Sequence, residues 1–365
     1  MPDPESRRLD TDLLAFIRKY RRAPAPELAF ELLALRVFRY QFARNVHYRK
    51  FCEFEKRSPG EVQNWKEIPA MPALAFKELV LASFPMKDRV RVFRTSGTTR
   101  GTSATKTSAD APLRGAHFFD TLALYESAIL PLFERYFDGD KASYYFLIAP
   151  AKEAPDSSLS YMMDVVDRRL ARGRGKYYVK KGEPLFVPLA GDLAKERKRT
   201  VLLSTAFALK GFLDHLAMNK TRLRLPRGSR LMETGGFKGR AREISKKALV
   251  AACQKYLGIP AARCVSEYGM TELSSQCYAP AGGIFTGPAW LKTLVIDPRT
   301  GQEAKKGRAG LLRHVDLANR GSVMAVQTED LGRATGEGFE LLGRAAGSEL
   351  RGCSLRYEEF IRRGE

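Results

Sequence analysis

The sequence has no run of about 18 consecutive apolar residues, so a membrane-crossing helix is not expected. Its first residues, MPDPESRRLDTDLL, lack the apolar stretch of a secretory signal. The two absences together point to the cytoplasm. Cysteine is scarce and irregular. Five residues, Cys52, Cys253, Cys264, Cys277 and Cys353, are widely spaced with no CxxC pair. Neither a disulfide framework nor a zinc site is expected, and each thiol reads first as a small buried apolar group. No internal repeat or low-complexity tract is present. Acidic residues are the minority charge: 41 Asp and Glu against 62 Lys and Arg leave a net +21. That balance suits a polyanionic ligand, an acidic partner or nucleic acid, and equally a plain solvated basic surface. The basic residues are dispersed, as in 168–181 and 195–199, and no nucleic-acid motif accompanies them. Nucleic acid is therefore not the favoured partner.

What is present is enough for a substantial core. With 365 residues, 44% of them hydrophobic, the chain can form one large α/β domain or two smaller ones. Residues 93–107, FRTSGTTRGTSATKT, stand out, with eight Ser or Thr and two Gly. A strand-like lead-in, 91–93, precedes them, and a helix-like run, 117–133, comes after. Glycines let backbone amides turn toward an anion, hydroxyls donate to phosphate oxygens, and Arg100 and Lys106 add positive charge. It is not the Walker type, because Thr102 comes after Gly101 where that motif needs Lys. Taken alone, the stretch is also what a polar surface loop looks like.

Residues 11–56 read as helical, with Pro24 and Pro26 separating two helices. Residues 68–72, IPAMP, are stiff and extended. Residues 143–148 and 201–204 read as buried strands, and 206–217 as a helix. Asp156 is placed to cap a short helix. Residues 229–236, SRLMETGG, form a strand running into a diglycine turn, with Lys238, Arg240 and Arg242 on the next helix. Strands alternating with helices over 143–265 argue for a mostly parallel or mixed sheet covered by helices.

Residues 264–273, CVSEYGMTEL, hold a short strand reaching Val265 and then a turn at its C-terminal edge. Ligands bind at that edge in open α/β sheets. There Tyr268 can stack on a base, Thr271 can donate to a phosphate, and Glu272 can hold Mg²⁺. Residues 294–298 and 311–316 look like a hairpin. Residues 328–332, TEDLG, look like an acidic turn after the strand 323–326, placing Asp330 where a carboxylate can accept from a ribose diol. Gly343-Arg344 precedes the segment that holds Cys353. The organisation expected is a helical cap over 1–60, an α/β core over 61–340, and a short tail over 341–365 carrying Cys353.

Four stretches, 95–101, 268–272, 328–330 and 343–344, stand in an order that resembles the adenylate-forming superfamily of acyl-CoA synthetases and related ligases. The chain is similar, more closely and over almost its whole length, to the acyl-protein synthetases, the fatty-acid-activating component of bacterial luciferase fatty-acid reductases. That likeness rests on 35–41, 93–99, 156–162, 233–238, 268–272, 316–319, 328–332 and 351–354. It implies a large N-terminal adenylate-forming core of mixed sheets flanked by helices, lacking the full small C-terminal domain. It implies ATP and Mg²⁺ as cofactors and a fatty acid as substrate. An acyl reductase subunit, or CoA or an acyl carrier protein, is the expected partner. By the same likeness, Thr95, Ser96, Gly97, Thr98 and Thr99 grip the ATP phosphates. Gly235 and Gly236 line the adenine site beside Tyr268. Thr271 meets the α-phosphate, Glu272 ligates Mg²⁺, and Asp330 and Arg344 hold the ribose. Cys353, 12 residues from the end, matches the cysteine that receives the acyl group. The lysine that the superfamily carries on its C-terminal domain is then unassigned, with Lys238 a candidate. A ligase using an external thiol and a non-catalytic nucleotide-fold module are the alternatives. Intact Thr95–Thr99, Thr271, Glu272 and Asp330 argue against the second.

Overall fold

A computed structural model describes residues 3–95, 114–137, 142–235, 245–280, 283–345 and 357–362. The chain divides into two compact units, Met1–Pro131 with Met270–Ser275 and Thr286–Glu365, and Leu132–Gly269 with Gln276–Phe285.

The first unit begins with helices Pro4–Lys19, Glu27–Arg44 and Val46–Phe54. Pro24 and Pro26 separate the first two, as the sequence predicts, but a second break falls at Asn45. Its φ of −97° and ψ of 102° leave the helix. Its N–H still donates to the Gln41 carbonyl at 2.8 Å, closing one helix. Its Oδ1 accepts from the Tyr48 amide at 3.0 Å, opening the next. Leu9, Leu13, Phe16 and Ile17 form the inward stripe of the first helix. They share a core with Val37 and Phe38 of the second helix, with Ile296, Val315 and Val326 of a five-stranded sheet, and with Met324 just before one of its strands.

In that sheet the strand Ala325–Ala334 pairs with Met71–Pro72, with Ala309–Asp316 and with Phe339–Arg344, and Leu291–Ile296 pairs with Ala309–Asp316. The hairpin expected near 294–316 is the antiparallel pair Leu291–Ile296 with Ala309–Asp316. The acidic turn expected at 328–332 is instead part of the strand Ala325–Ala334, which is bulged there, its pairing with Ala309–Asp316 shifting between Leu331 and Gln327. Two features keep it extended. The Thr328 hydroxyl donates to the Leu312 carbonyl at 2.8 Å. At Gly332 a Cβ would lie 2.5 Å from Leu312 Cδ2, so only glycine lets the strands approach there. A further correction concerns 117–133. Residues Ala116–Phe119 are a strand paired with Arg91–Arg94, and the helix is Ala123–Phe137. His-Phe-Phe suits a pleated, buried position, and the Thr121 hydroxyl accepts from the Ala123 amide at 3.2 Å where the helix starts.

The second unit holds a six-stranded sheet in the order Cys277–Pro280, Cys264–Tyr268, Arg230–Thr234, Thr200–Thr205, Ser143–Leu147, Lys176–Tyr177. All pairs are parallel except that between Cys264–Tyr268 and Cys277–Pro280. Strands such as TVLLST and CVSEY are buried along nearly their whole length, as expected where helices cover a parallel sheet. Helices Ala206–Met218 and Lys246–Leu257 contribute Leu209, Phe212, Leu213, Leu249, Cys253 and Leu257 to this core. The helix Ser158–Val166 is capped by Ser157, not Asp156, since the Ser157 hydroxyl accepts from the Ser160 amide at 3.1 Å.

Replacing Gly332 by Ala should lower the urea midpoint, because the new methyl meets Leu312 and lies 2.9 Å from the Glu340 carbonyl oxygen. The expected cost is about 1–3 kcal/mol. An unchanged midpoint would contradict the close approach.

Candidate functional site

In the first unit a charged group forms around Glu272. The strands Arg91–Arg94 and Ala116–Phe119 end at Thr95 and Gly115. There the Thr95 amide donates to the Gly115 carbonyl and the Gly115 amide to Thr95 Oγ1, both at 2.9 Å. Ser96, Gly97, Thr98 and Thr99 lie outside the described residues. A Cβ on Gly115 would sit 2.9 Å from Thr95 Cγ2 and 3.3 Å from Lys77 Cγ, which places Lys77 beside Thr95. Lys77 belongs to the short helix Ala75–Glu78.

Glu272 is buried, and its carboxyl is pushed up to about 7. Loss of solvent is the largest cause. Its own backbone N–H, Lys77 and Arg344 pull the value back, while the like charge of Asp330 pushes it further. Lys77, Asp330 and Arg344 are thus each within electrostatic reach of Glu272. Asp330 and Arg344 face each other across paired strands, with Arg344 Nε 3.5 Å from Asp330 Oδ1. Arg344 is 67% exposed, so this pair orients two side chains more than it stabilises the fold. Thr271 offers its carbonyl to His117 Nδ1 at 2.9 Å.

The second unit carries Gly235 and Tyr268. Gly235 has φ +74°, a conformation that favours glycine. The buried Tyr268 ring meets Phe285 edge-on at 5.9 Å. Gly236 and Lys238 lie outside the described residues. Beside these positions are two carboxyls that sequence reading did not single out. Glu233 and Glu267 lie on adjacent parallel strands, where Ser266 is the register partner of Glu233 and Thr234 that of Glu267. The Ser266 hydroxyl donates to Glu233, and the Thr234 hydroxyl to Glu267. Lys246 Nζ donates to Ser266 Oγ at 3.1 Å and lies 4.8 Å from the Phe285 ring centroid. Burial pushes Glu267 up to about 7, with the Thr234 bond opposing and Glu233 adding to the rise. A Cβ on Gly269 would come 2.5 Å from Glu267 Oε1, so glycine is needed there for the Glu267 carboxyl to keep its place.

Sequence reading also missed Lys77, His117 and Asn319. Only Asn319 lies in a stretch that carries the resemblance, 316–319, and that stretch assigns it no role. Each reaches the Thr271–Glu272 turn from a distant part of the chain, and no local pattern announces it. Cys353 lies outside the described residues. On one side the described chain ends at Ala345. On the other it resumes at Tyr357, whose hydroxyl donates to Glu78 at 2.8 Å. Phe360 then packs edge-on against Phe51 at 5.4 Å.

No protein-family profile matches the chain, and no curated protein is similar to it. Solved structures do match. 2-Hydroxyisobutyryl-CoA ligase in the postadenylation state with 2-HIB-AMP aligns with a TM-score of 0.63 at 15% identity, covering 89% of this chain and 70% of that one. The open conformation of that ligase with 2-HIB-AMP and CoA gives a TM-score of 0.62 at 14% identity, covering 89% and 77%. ATP-bound MatB from Rhodopseudomonas palustris gives 0.49 at 14% identity. There 72% of this chain matches, and it spans 49% of the length of that one, about half. At these identities the likeness is one of fold. The chain has the α/β core of mixed sheets flanked by helices found in the 2-hydroxyisobutyryl-CoA ligase, as the sequence resemblance implies.

Glu267 gives a pH test. In the unfolded chain its carboxyl ionises near 4.5, and in the folded protein near 7. The folded state binds more protons between these values, so this group lowers stability as pH rises through that window. Glu267→Gln removes the titration and keeps an acceptor for Thr234. Relative to wild type, the variant should gain about 1–3 kcal/mol between pH 5 and pH 8, read from urea unfolding. A gap that stays constant with pH would contradict the raised value.

Proposed function

Taking the charged group around Glu272 together with the shared ligase fold, we propose that this protein is an ATP-dependent, AMP-forming acid–thiol ligase of the acyl-protein synthetase type. The observation that carries this is the buried Glu272 carboxyl, placed next to Thr271 and within electrostatic reach of Lys77, Asp330 and Arg344. A fatty acid carboxylate oxygen bonds to the α-phosphorus of ATP, the bond to the bridging oxygen breaks, and pyrophosphate leaves. The hydroxyls and amides of Thr95, Ser96, Gly97, Thr98 and Thr99 hold the phosphates. Lys77 offsets their charge, in place of Lys238. Thr271 donates to the α-phosphate, and Asp330 and Arg344 bind the ribose. Gly235, Gly236 and Tyr268 receive the adenine.

Glu272 fits a Mg²⁺ site of the kind that uses one protein carboxylate and leaves the remaining positions to phosphates and water. Among the described residues no cluster of three or more His, Cys, Asp or Glu forms an all-protein cage. When bound, the ion neutralises phosphate charge. Glu272 must be ionised to bind it, so below about pH 7 binding releases a proton.

In the second half-reaction the Cys353 thiolate attacks the acyl carbonyl, the bond to AMP breaks, and a thioester remains for delivery to an acyl reductase. In sequence, Cys353 lies between the end of the strand Phe339–Arg344 and the anchored Tyr357. A second reading gives the acyl group to an external thiol. It draws on the fold neighbour that holds both 2-HIB-AMP and CoA.

With labelled fatty acid and ATP, wild type should carry label on denaturing gels that hydroxylamine removes, and Cys353→Ala should carry none. Label retained by Cys353→Ala would refute the nucleophile. CoA-dependent acyl release without labelled protein would favour the second reading. Glu272→Gln should slow ATP–pyrophosphate exchange by roughly 10²-fold. Absence of exchange with every carboxylic acid tried would end the adenylation reading.

A further inference from the structure

We propose that His117 and Asn319 are positioning residues, which together clamp the two consecutive carbonyls of Thr271 and Glu272 and so set where both side chains point. The functional part of this proposal rests on the adenylation reading, while the clamp itself rests on geometry.

The Thr271 carbonyl is 2.9 Å from His117 Nδ1. A carbonyl only accepts, so Nδ1 carries the hydrogen. His117 is 1% exposed and packs against Phe76 and Phe119 at 5.7 and 4.2 Å between ring centroids. The Glu272 carbonyl accepts from Asn319 Nδ2 at 2.8 Å. Asn319 is also 1% exposed, and its place is fixed in turn. Its Nδ2 donates to the Val323 carbonyl at 3.2 Å, and its own carbonyl accepts from Gln41 Nε2 at 2.8 Å. Just beyond, the Ser274 and Ser275 amides donate to Asp316 at 3.0 and 2.8 Å. The backbone of 271–275 is therefore held from outside, by side chains of the strand Ala116–Phe119 and of the turn after Ala309–Asp316.

The strand that carries His117 also leads from Gly115, whose amide holds Thr95 Oγ1. Two residues of one short segment, Gly115 and His117, thus fix Thr95 and the Thr271 carbonyl. A misplacement on the order of 1 Å at a reacting phosphate can cost about 10²-fold in rate, so this strand is a means of keeping the two groups in register.

The variants that test the clamp are His117→Phe, which keeps the ring and loses the donor, His117→Asn, which restores an N–H near the same place, and Asn319→Asp, which loses the donor at equal size. Hydrogen–deuterium exchange of the Leu273 amide, which closes the turn over Thr271 and Glu272 by donating to the Met270 carbonyl at 3.1 Å, reads the geometry without any substrate. Both donor-losing variants should speed it roughly tenfold, and His117→Asn should return it toward wild type. Unchanged protection overturns the clamp. ATP–pyrophosphate exchange per folded molecule reads the function. His117→Phe should lose roughly 10- to 100-fold in kcat with little change in KM for ATP, and His117→Asn should recover most of it. Wild-type kcat in His117→Phe overturns the positioning role. A wild-type protein with no exchange activity refutes the adenylation reading instead, and the amide protection then decides the clamp alone.

Discussion

The first unit depends on one buried carboxylate. Asp316 is fully enclosed at the end of its strand and accepts four hydrogen bonds, from the Ser274, Ser275 and Ala318 amides and the Ser275 hydroxyl. Burial still pushes it up to about 6, so these donors offset only part of the loss of solvent. Around it the chain turns through Leu317–Asn319 into Arg320. The guanidinium of Arg320, itself 1% exposed, reaches Asp10 at 2.7 and 2.8 Å and Asp120 at 2.9 Å. Gln41 closes the network by donating to Asn319 and accepting from the Met324 amide. The N-terminal helices, the five-stranded sheet and the Thr271–Ser275 turn all meet here through polar groups that are buried except at Asp10 and Asp120, which are partly exposed. A buried network is costly where a group goes unpaired, as Asn319 Oδ1 does, and the bonds that are made hold the surrounding geometry.

Buried carboxyls recur in the second unit with different neighbours. Glu272 has cations within reach, whereas Glu267 has a threonine hydroxyl and the like charge of Glu233. Burial raises both toward neutrality. A carboxyl near lysine and arginine is poised to ionise when a cationic ligand arrives. One held by hydroxyls on a strand end shapes the wall beside it, as the forced glycine at 269 illustrates.

Much of the fold was legible where the chain obeys a single period. The apolar strands near 143–148 and 201–204 and the helix after them were found almost to the residue, because burial on both faces leaves an unmistakable run. Errors arose where one polar side chain decides. Asn45 ends one helix and begins another, Ser157 caps where Asp156 was expected, and Thr328 with Gly332 carries a strand through what reads as an acidic turn. Aromatic-rich His117–Phe119 keeps a helical spacing with the apolar residues of 124–133, and only pairing with Arg91–Arg94 makes it a strand. At the site the split is similar. Thr271, Glu272, Asp330 and Arg344 lie in short local patterns, so sequence points to them. Lys77, His117 and Asn319 meet that turn only through tertiary contact, across 154 residues in the case of His117 and Thr271, and although Asn319 falls in the stretch 316–319, its contact with Glu272 is not written in its neighbours.

The division of the chain also has a temporal meaning during synthesis. The second unit is nearly continuous, interrupted only by 270–275, and all of it has been made once Phe285 is added. The first unit opens the chain but cannot close. Its helices wait for the strands Leu291–Ile296, Ala309–Asp316 and Ala325–Ala334, and Phe51 waits for Phe360. On the ribosome the middle of the protein can therefore mature before its beginning. Leu13, Phe16, Val37 and Phe38 meanwhile emerge with no sheet to cover them, so their apolar surface stays exposed while the nascent chain is still growing.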